Sequence, residues 1–415
     1  VLRIPSSVCL FDNPDTAPLF IARLVSSAGA GFGQLALAWG VMDLGYGPGG
    51  LSLVLACNSV PALLIVLCGV AGDRFRRHHV LIVAEIITSA AWLAFAVCFW
   101  TKQAPLPLLC GLAFLSGIAT AMFLPTIRGI IADLLAGKGR LAGNAAIKQT
   151  DSIGLLIGLS TSGMVVTAVG PGWAASTRGI LCAVGALVLC RLRTPRWRSD
   201  NPSFLREFRA GWREFASLRW VWIMTLQYAA VIVAVIAYTV IAGPVYMEDG
   251  HGGARAWGFI TGCEYVGALA GAFIGTRWKP SRLVLAAASL PAAGAIPMFL
   301  MGIQASWVVL ATATLIPGAC TAIYYVLWTT ALQNTFAPEV LVRVNSWNII
   351  ASYGLMPVTV LAAGPLVKEV GPQATVFGAG VLTVLAVGCS LLVLRTVASV
   401  PLTTSKTTED VPVPS

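Results

Sequence analysis

Apolar positions along this chain neither alternate nor keep to one face of a helix; they run on for about 20 residues at a time. Twelve such runs can be delimited, with cores near 18–42, 50–71, 80–100, 106–132, 144–169, 174–190, 220–246, 256–275, 283–303, 306–332, 347–368 and 373–394. A helix of that length crosses the ~30 Å hydrocarbon core of a bilayer. The strands of a membrane barrel would need short segments of alternating polarity instead. The pattern therefore predicts an all-α membrane protein with twelve transmembrane helices and the lipid bilayer as its main partner.

Two polar stretches interrupt the pattern. In 191–219, Asn201-Pro202 supplies a cap and first turn, after which Phe204, Phe208, Trp212 and Phe215 recur at helical spacing opposite Arg206, Glu207, Arg209, Arg213 and Glu214. This predicts an interfacial helix with its aromatic side in the inner leaflet and its arginines at anionic headgroups. The stretch 398–415 is polar and Pro-containing and is expected to be a disordered cytoplasmic tail. Before the first run, Asp12 and Asp15 and the length of that run argue for a retained cytoplasmic segment over a cleavable signal.

Composition agrees. Of 415 residues 57% are hydrophobic and 11% charged, with mean hydropathy +0.82, whereas a soluble domain carries about 25% charge. The net charge of +10 reports topology: with the amino terminus inside, 23 of the 27 Lys and Arg fall on the inner side. Only Lys102, Arg178, Arg255 and Lys368 are left for the outer connections. That bias predicts both termini in the cytoplasm of a cell with this inner membrane, and nucleic acid is not an expected partner. The ten cysteines lie singly, without CxxC or a histidine cluster, so no metal, disulfide or cofactor is expected.

The chain also repeats itself at half-length. Gly69–Leu81 aligns with Gly271–Leu283 at an offset of 202, and Asp133–Asn144 with Asn334–Asn345 at an offset of 201. A parallel repeat of six plus six helices predicts two bundles around a central cavity. The corresponding division is 1–190, a linker 191–219, and 220–397.

The segment Gly69-Val-Ala-Gly-Asp-Arg-Phe-Arg-Arg, placed on the inner side between spans 2 and 3, resembles the signature loop of the major facilitator superfamily. Arg23-Leu-Val-Ser-Ser-Ala-Gly, Phe123-Leu-Pro-Thr-Ile-Arg and Phe204-Leu-Arg-Glu-Phe-Arg-Ala-Gly resemble its drug and macrolide efflux branch, which includes siderophore exporters. The resemblance implies an inner gate latch in which Asp73, beside Gly69 and Arg74, bonds to Arg77 of its own loop, to the end of span 4 that carries Asp133 and to the start of span 11 at Arg343, bonds that form facing outward and break facing inward. It also brings to notice Gly154, Gly158 and Gly163 of span 5, glycines expected to let the two bundles pack closely. The exporter pattern has a proline and a glycine where this chain has Leu159 and Ser162.

Ionisable residues within spans are costly and mark function or pairing. Glu85, Arg128, Lys148 and Asp151 share a depth and are expected to form one cluster, either a structural or gating network or part of a substrate or proton path. Glu264 stands alone at the middle of span 8. Such an acid is expected to hold a proton until water or a cationic substrate reaches it, which makes it the first candidate for proton coupling. The cavity candidates are Gln34, Trp39, Asn58, Gln227, Tyr228, Tyr324, Tyr325, Asn348 and Tyr353, a sparse polar set suited to an amphipathic small molecule. No metal spacing, catalytic set or P-loop points to an enzyme. The expected function is proton-coupled efflux by a monomeric secondary transporter; import of a nutrient, or a non-transporting receptor, is the alternative.

Overall fold

The computed structural model describes residues 16–61, 77–134, 138–192, 216, 218–336, 344, 347–348, 351 and 354–398. Its helices are α1 Ala17–Asp43, α2 Gly47–Ser59, α3 Arg77–Thr101, α4 Leu106–Leu134, α5 Lys138–Val169 and α6 Pro171–Leu189, followed by α7 Arg219–Glu248, α8 Gly253–Gly275, α9 Leu283–Gly302, α10 Trp307–Thr335, α11 Met356–Val370 and α12 Pro372–Ala398. Ten of them contain a stretch long and apolar enough to cross a membrane, and no strand occurs among the described residues. The other two, α2 and α11, are shorter, and part of each expected span lies outside the described residues. So do the linker helix expected in 201–215 and all of the tail beyond Ala398.

Proline and glycine set the joints. Gly170 (φ 93°) ends α5 and Pro171 opens α6, where its missing N–H costs nothing. Gly371 (φ 91°) and Pro372 repeat this joint between α11 and α12, 201 residues later. Among the described residues, the two non-glycine residues with positive φ, Lys102 (51°) after α3 and Gln304 (59°) after α9, are 202 residues apart. Backbone turns thus carry the same period as the sequence.

Two helices are locally irregular for a chemical reason. In α7 a π-helical segment, Ala237–Ala242, precedes Gly243-Pro244. Pro244 offers no N–H to the carbonyl of Val240, and a wider turn absorbs the mismatch. In α9 a 3-10 turn, Leu290–Gly294, contains Pro291, so the carbonyl of Ala288 has no N–H partner three residues on. Gln227 of α7 fills that role, donating to Ala288 at 2.6 Å while its own oxygen accepts from Ser390 of α12 at 2.6 Å.

Within the first half, α1 packs on α5 and α6, α3 on α4 and α6, and α2 on α4; within the second, α8 packs on α10, and α12 on α7 and α9. The halves meet through α5 against α8 and α2 against α11. A six-helix repeat requires these contacts to come as a pair, because shifting α2–α11 by six helices gives α8–α5.

Glycines permit the closest approaches. Gly154 and Gly158 meet the backbone of Leu24 and Ala28 on α1, so they pack α5 inside its own half, correcting the expectation that all three span-5 glycines join the halves. Gly163 does cross, lying against the carbonyl of Ala254, and from the other side Gly258 lies against Leu159 and Gly262 against Ser160. Gly364 of α11 lies against Ser52 and Pro48 of α2. These contacts cluster at the end where α5 finishes and α2, α8 and α12 begin; we refer to it as the joined end.

Candidate functional site

Between the halves lies a cavity of about 390 Å³. The first half contributes Gln34, Asn58, Trp92 and Arg178 to its wall, and the second Thr239, Thr261, Glu264 and Tyr265; Leu37, Leu55, Leu159, Val235, Val240 and Met356 make much of the rest apolar. The π-helical segment of α7 places Thr239 and Val240 on this wall.

Glu264 is eleven residues into α8, about 16 Å along the helix. It lines the cavity, and among the described residues its carboxylate makes no hydrogen bond or ion pair. The same cavity is lined by a residue that charge counting misplaced. Arg178, assigned above to an outer connection, is seven residues inside α6, about 10 Å from its start. Its Nη1 donates to the carbonyl of Ala30 at 3.2 Å, and its guanidinium carbon lies 4.2 Å from the centre of the Trp92 ring. Gly33 leaves room for it, since a side chain there would collide with the guanidinium. The signal was present in the sequence: Pro171 marks the first turn of α6, so Arg178 had to lie two turns within a span.

The expected four-membered charge cluster is divided. Asp151 accepts from Arg23 Nη2 at 2.6 Å and from Ser27 Oγ at 2.6 Å, tying α5 to α1, while Lys148 is an exposed second partner at 3.8 Å. Arg23, counted above as an inner-face marker, also lies over the Phe123 ring at 5.1 Å. Glu85 sits apart, buried among α1, α3 and α6, where Ser26 Oγ donates to it. Arg128 is on α4, but its side chain lies outside the described set.

Of the cavity candidates, Gln34 and Asn58 line the wall, Asn58 also donating to Ala113 at 3.0 Å. Trp39 is buried in the core of the first half's contact with the second. Gln227 is spent on the α7–α9–α12 contact described above, which removes it from the cavity set. Tyr228 stacks on Tyr324 at 5.0 Å, and Tyr324 on Trp328 at 6.4 Å, a column that belongs to a second core; Tyr325, edge-on to Tyr228, is exposed, and none of the four lines this cavity. Asn348 is buried. Tyr353 and the latch residues Gly69, Asp73, Arg74 and Arg343 lie outside the described residues; Arg77 opens α3, and Asp133 lies on α4 with its side chain outside the set.

The chain is similar to several known proteins. Multidrug efflux pump Tap of Mycobacterium tuberculosis is 26% identical, over 88% of this chain and 90% of Tap. A bacterial homologue of the human lysosomal transporter Spinster, solved inward-facing and unoccupied, superposes with a TM-score of 0.66 at 15% identity, covering 92% of this chain and 97% of that one. The nucleoside transporter NupG gives 0.69 at 12% identity, covering 91% and 98%. At such identities the structural likeness concerns the fold. The sequence profile of the Major Facilitator Superfamily matches residues 19–360, and with the paired halves and the cavity between them this multi-pass membrane protein belongs to that superfamily of transporters.

Proposed function

We propose that this transporter is a proton-coupled exporter of amphipathic small molecules, acting by alternating access in a bacterial cytoplasmic membrane with both termini inside. Residues 1–190 and 220–397 would be the two moving bodies, and 191–219 their linker. The observation that carries this reading is Glu264, an acid that among the described residues has no hydrogen bond or ion pair, on a largely apolar wall between the halves. An acid in that setting exchanges its proton when the cavity is hydrated or a cation enters. Export as the direction is supported by the 26% identity to a protein named as a multidrug efflux pump. With the amino terminus inside, the joined end faces out, so Gly163, Gly258 and Gly364 belong to the outer gate. Deleting the gene and measuring both drug susceptibility and intracellular accumulation tests the direction. An exporter predicts greater susceptibility with greater accumulation; lower accumulation in the deletion strain would mean import.

A further inference from the structure

Glu264 is only half of the cavity's charge. Arg178, from the other half of the molecule, is open to the same space, and among the described residues neither side chain forms an ion pair. Of the five N–H donors on a guanidinium, one serves the Ala30 carbonyl, and Nε is buried without a hydrogen-bond partner. Glu85 interacts with Arg178 through space but does not reach ion-pair distance. Burying a cation with donors unused is expensive, and the ligand that matches a guanidinium is a carboxylate or similar pair of anionic oxygens.

The spacing of the two charges follows from backbone contacts. Arg178 binds at the level of Ala30 and Gly33 on α1; Gly31 touches Leu159 on α5, and Leu159 touches Gly258 on α8. Glu264 lies six residues beyond Gly258, about 9 Å further along the axis. Trp92, Leu37, Leu159 and Val240 furnish apolar wall for the same cavity.

We infer that the cavity recognises amphipathic zwitterions, with Arg178 holding an anionic oxygen group and Glu264 a cationic amine across an apolar body. This rests on the transporter reading above but narrows the solute from a generic amphipath to one carrying both charges. A lone cation would leave Arg178 unanswered, and a lone anion would leave Glu264 so.

The test is binding, which is independent of transport. The para,para′ isomer of aminomethylbiphenylcarboxylic acid has its acid and amine at opposite ends of a rigid apolar core. Its methyl ester keeps only the cation and its N-acetyl derivative only the anion. Titration calorimetry on the purified protein in lipid nanodiscs should show the zwitterion binding at least about tenfold more tightly than either derivative, the loss expected for one charge-assisted bond. Arg178→Met should bring acid and ester within about twofold of each other, and Arg178→Lys should restore part of the preference. Glu264→Gln should do the same for the amine and its acetyl derivative. Equal affinity of acid and ester for the unmodified protein overturns the inference, as does failure of the acid to bind. Discrimination left intact in either Arg178→Met or Glu264→Gln overturns it too, since that charge would then not be reading the ligand. Proton-driven flux that persists alongside any of these results would leave the exporter reading standing.

Discussion

Gly258 offers a sharp test of the gate. A Cβ placed there would lie 2.6 Å from the carbonyl oxygen of Leu159 and 3.2 Å from Cα of Gly163, both backbone atoms of α5 with no rotamer to change. Alanine must therefore push α5 and α8 apart by several tenths of an ångström at the joined end. Overpacking of this kind costs about 1–3 kcal/mol. If the penalty falls only on the state in which these helices touch, it lowers that state's population about 5–150-fold relative to the opposite one. Spin labels at Gln103→Cys and Ser306→Cys, exposed sites at the joined end on opposite halves, report the change by electron–electron resonance in a background with the native cysteines replaced. The Gly258→Ala protein should show a longer distance at the expense of the original one, and Gly163→Ala, facing the Ala254 carbonyl, should shift it the same way. A folded Gly258→Ala protein with an unchanged distribution would refute the idea that this contact belongs to one state.

Three further outcomes are expected. Asp151→Asn removes the partner of Arg23, a pair less than one-fifth exposed, and should destabilise the first half by about 1–3 kcal/mol; an unchanged unfolding temperature by intrinsic fluorescence would contradict a structural role. Gln227→Leu should also lower that temperature, because it strands the Ala288 carbonyl, while leaving ligand affinity unaltered; a loss of affinity in a stable variant would return Gln227 to the cavity. Asp73→Asn should abolish transport with surface expression intact, and normal transport would remove the latch from the mechanism.

Much of the architecture was legible in the sequence because lipid imposes it. Uninterrupted apolar runs give the helices, and the 201–202 residue offset recurs in the positive-φ joints at Gly170 and Gly371 and at Lys102 and Gln304. Glu264 was legible because an acid in the middle of a span has no other place to go. Arg178 was not, because charge counting treats every arginine near a span end as a topology marker, although a helix start fixed by Pro171 puts this one inside. Spacing along one helix also cannot name its neighbour. Gly154, Gly158 and Gly163 repeat smoothly on α5, yet two face α1 and one faces α8. Asp151 and Glu85 share a depth but face different clefts, separated by neighbouring serines: Ser26 serves Glu85 and Ser27 serves Asp151. Gln227 was drawn away from the cavity by a carbonyl that Pro291 leaves unserved.

Proton coupling through Glu264 is tested most directly in inverted membrane vesicles with an acidified lumen, using whichever compound the deletion strain retains. The unmodified transporter should concentrate that compound in proportion to the pH difference. Glu264→Gln should lose uphill accumulation while still exchanging the compound down its own gradient. Uphill accumulation by Glu264→Gln with an unchanged dependence on pH would contradict the assignment.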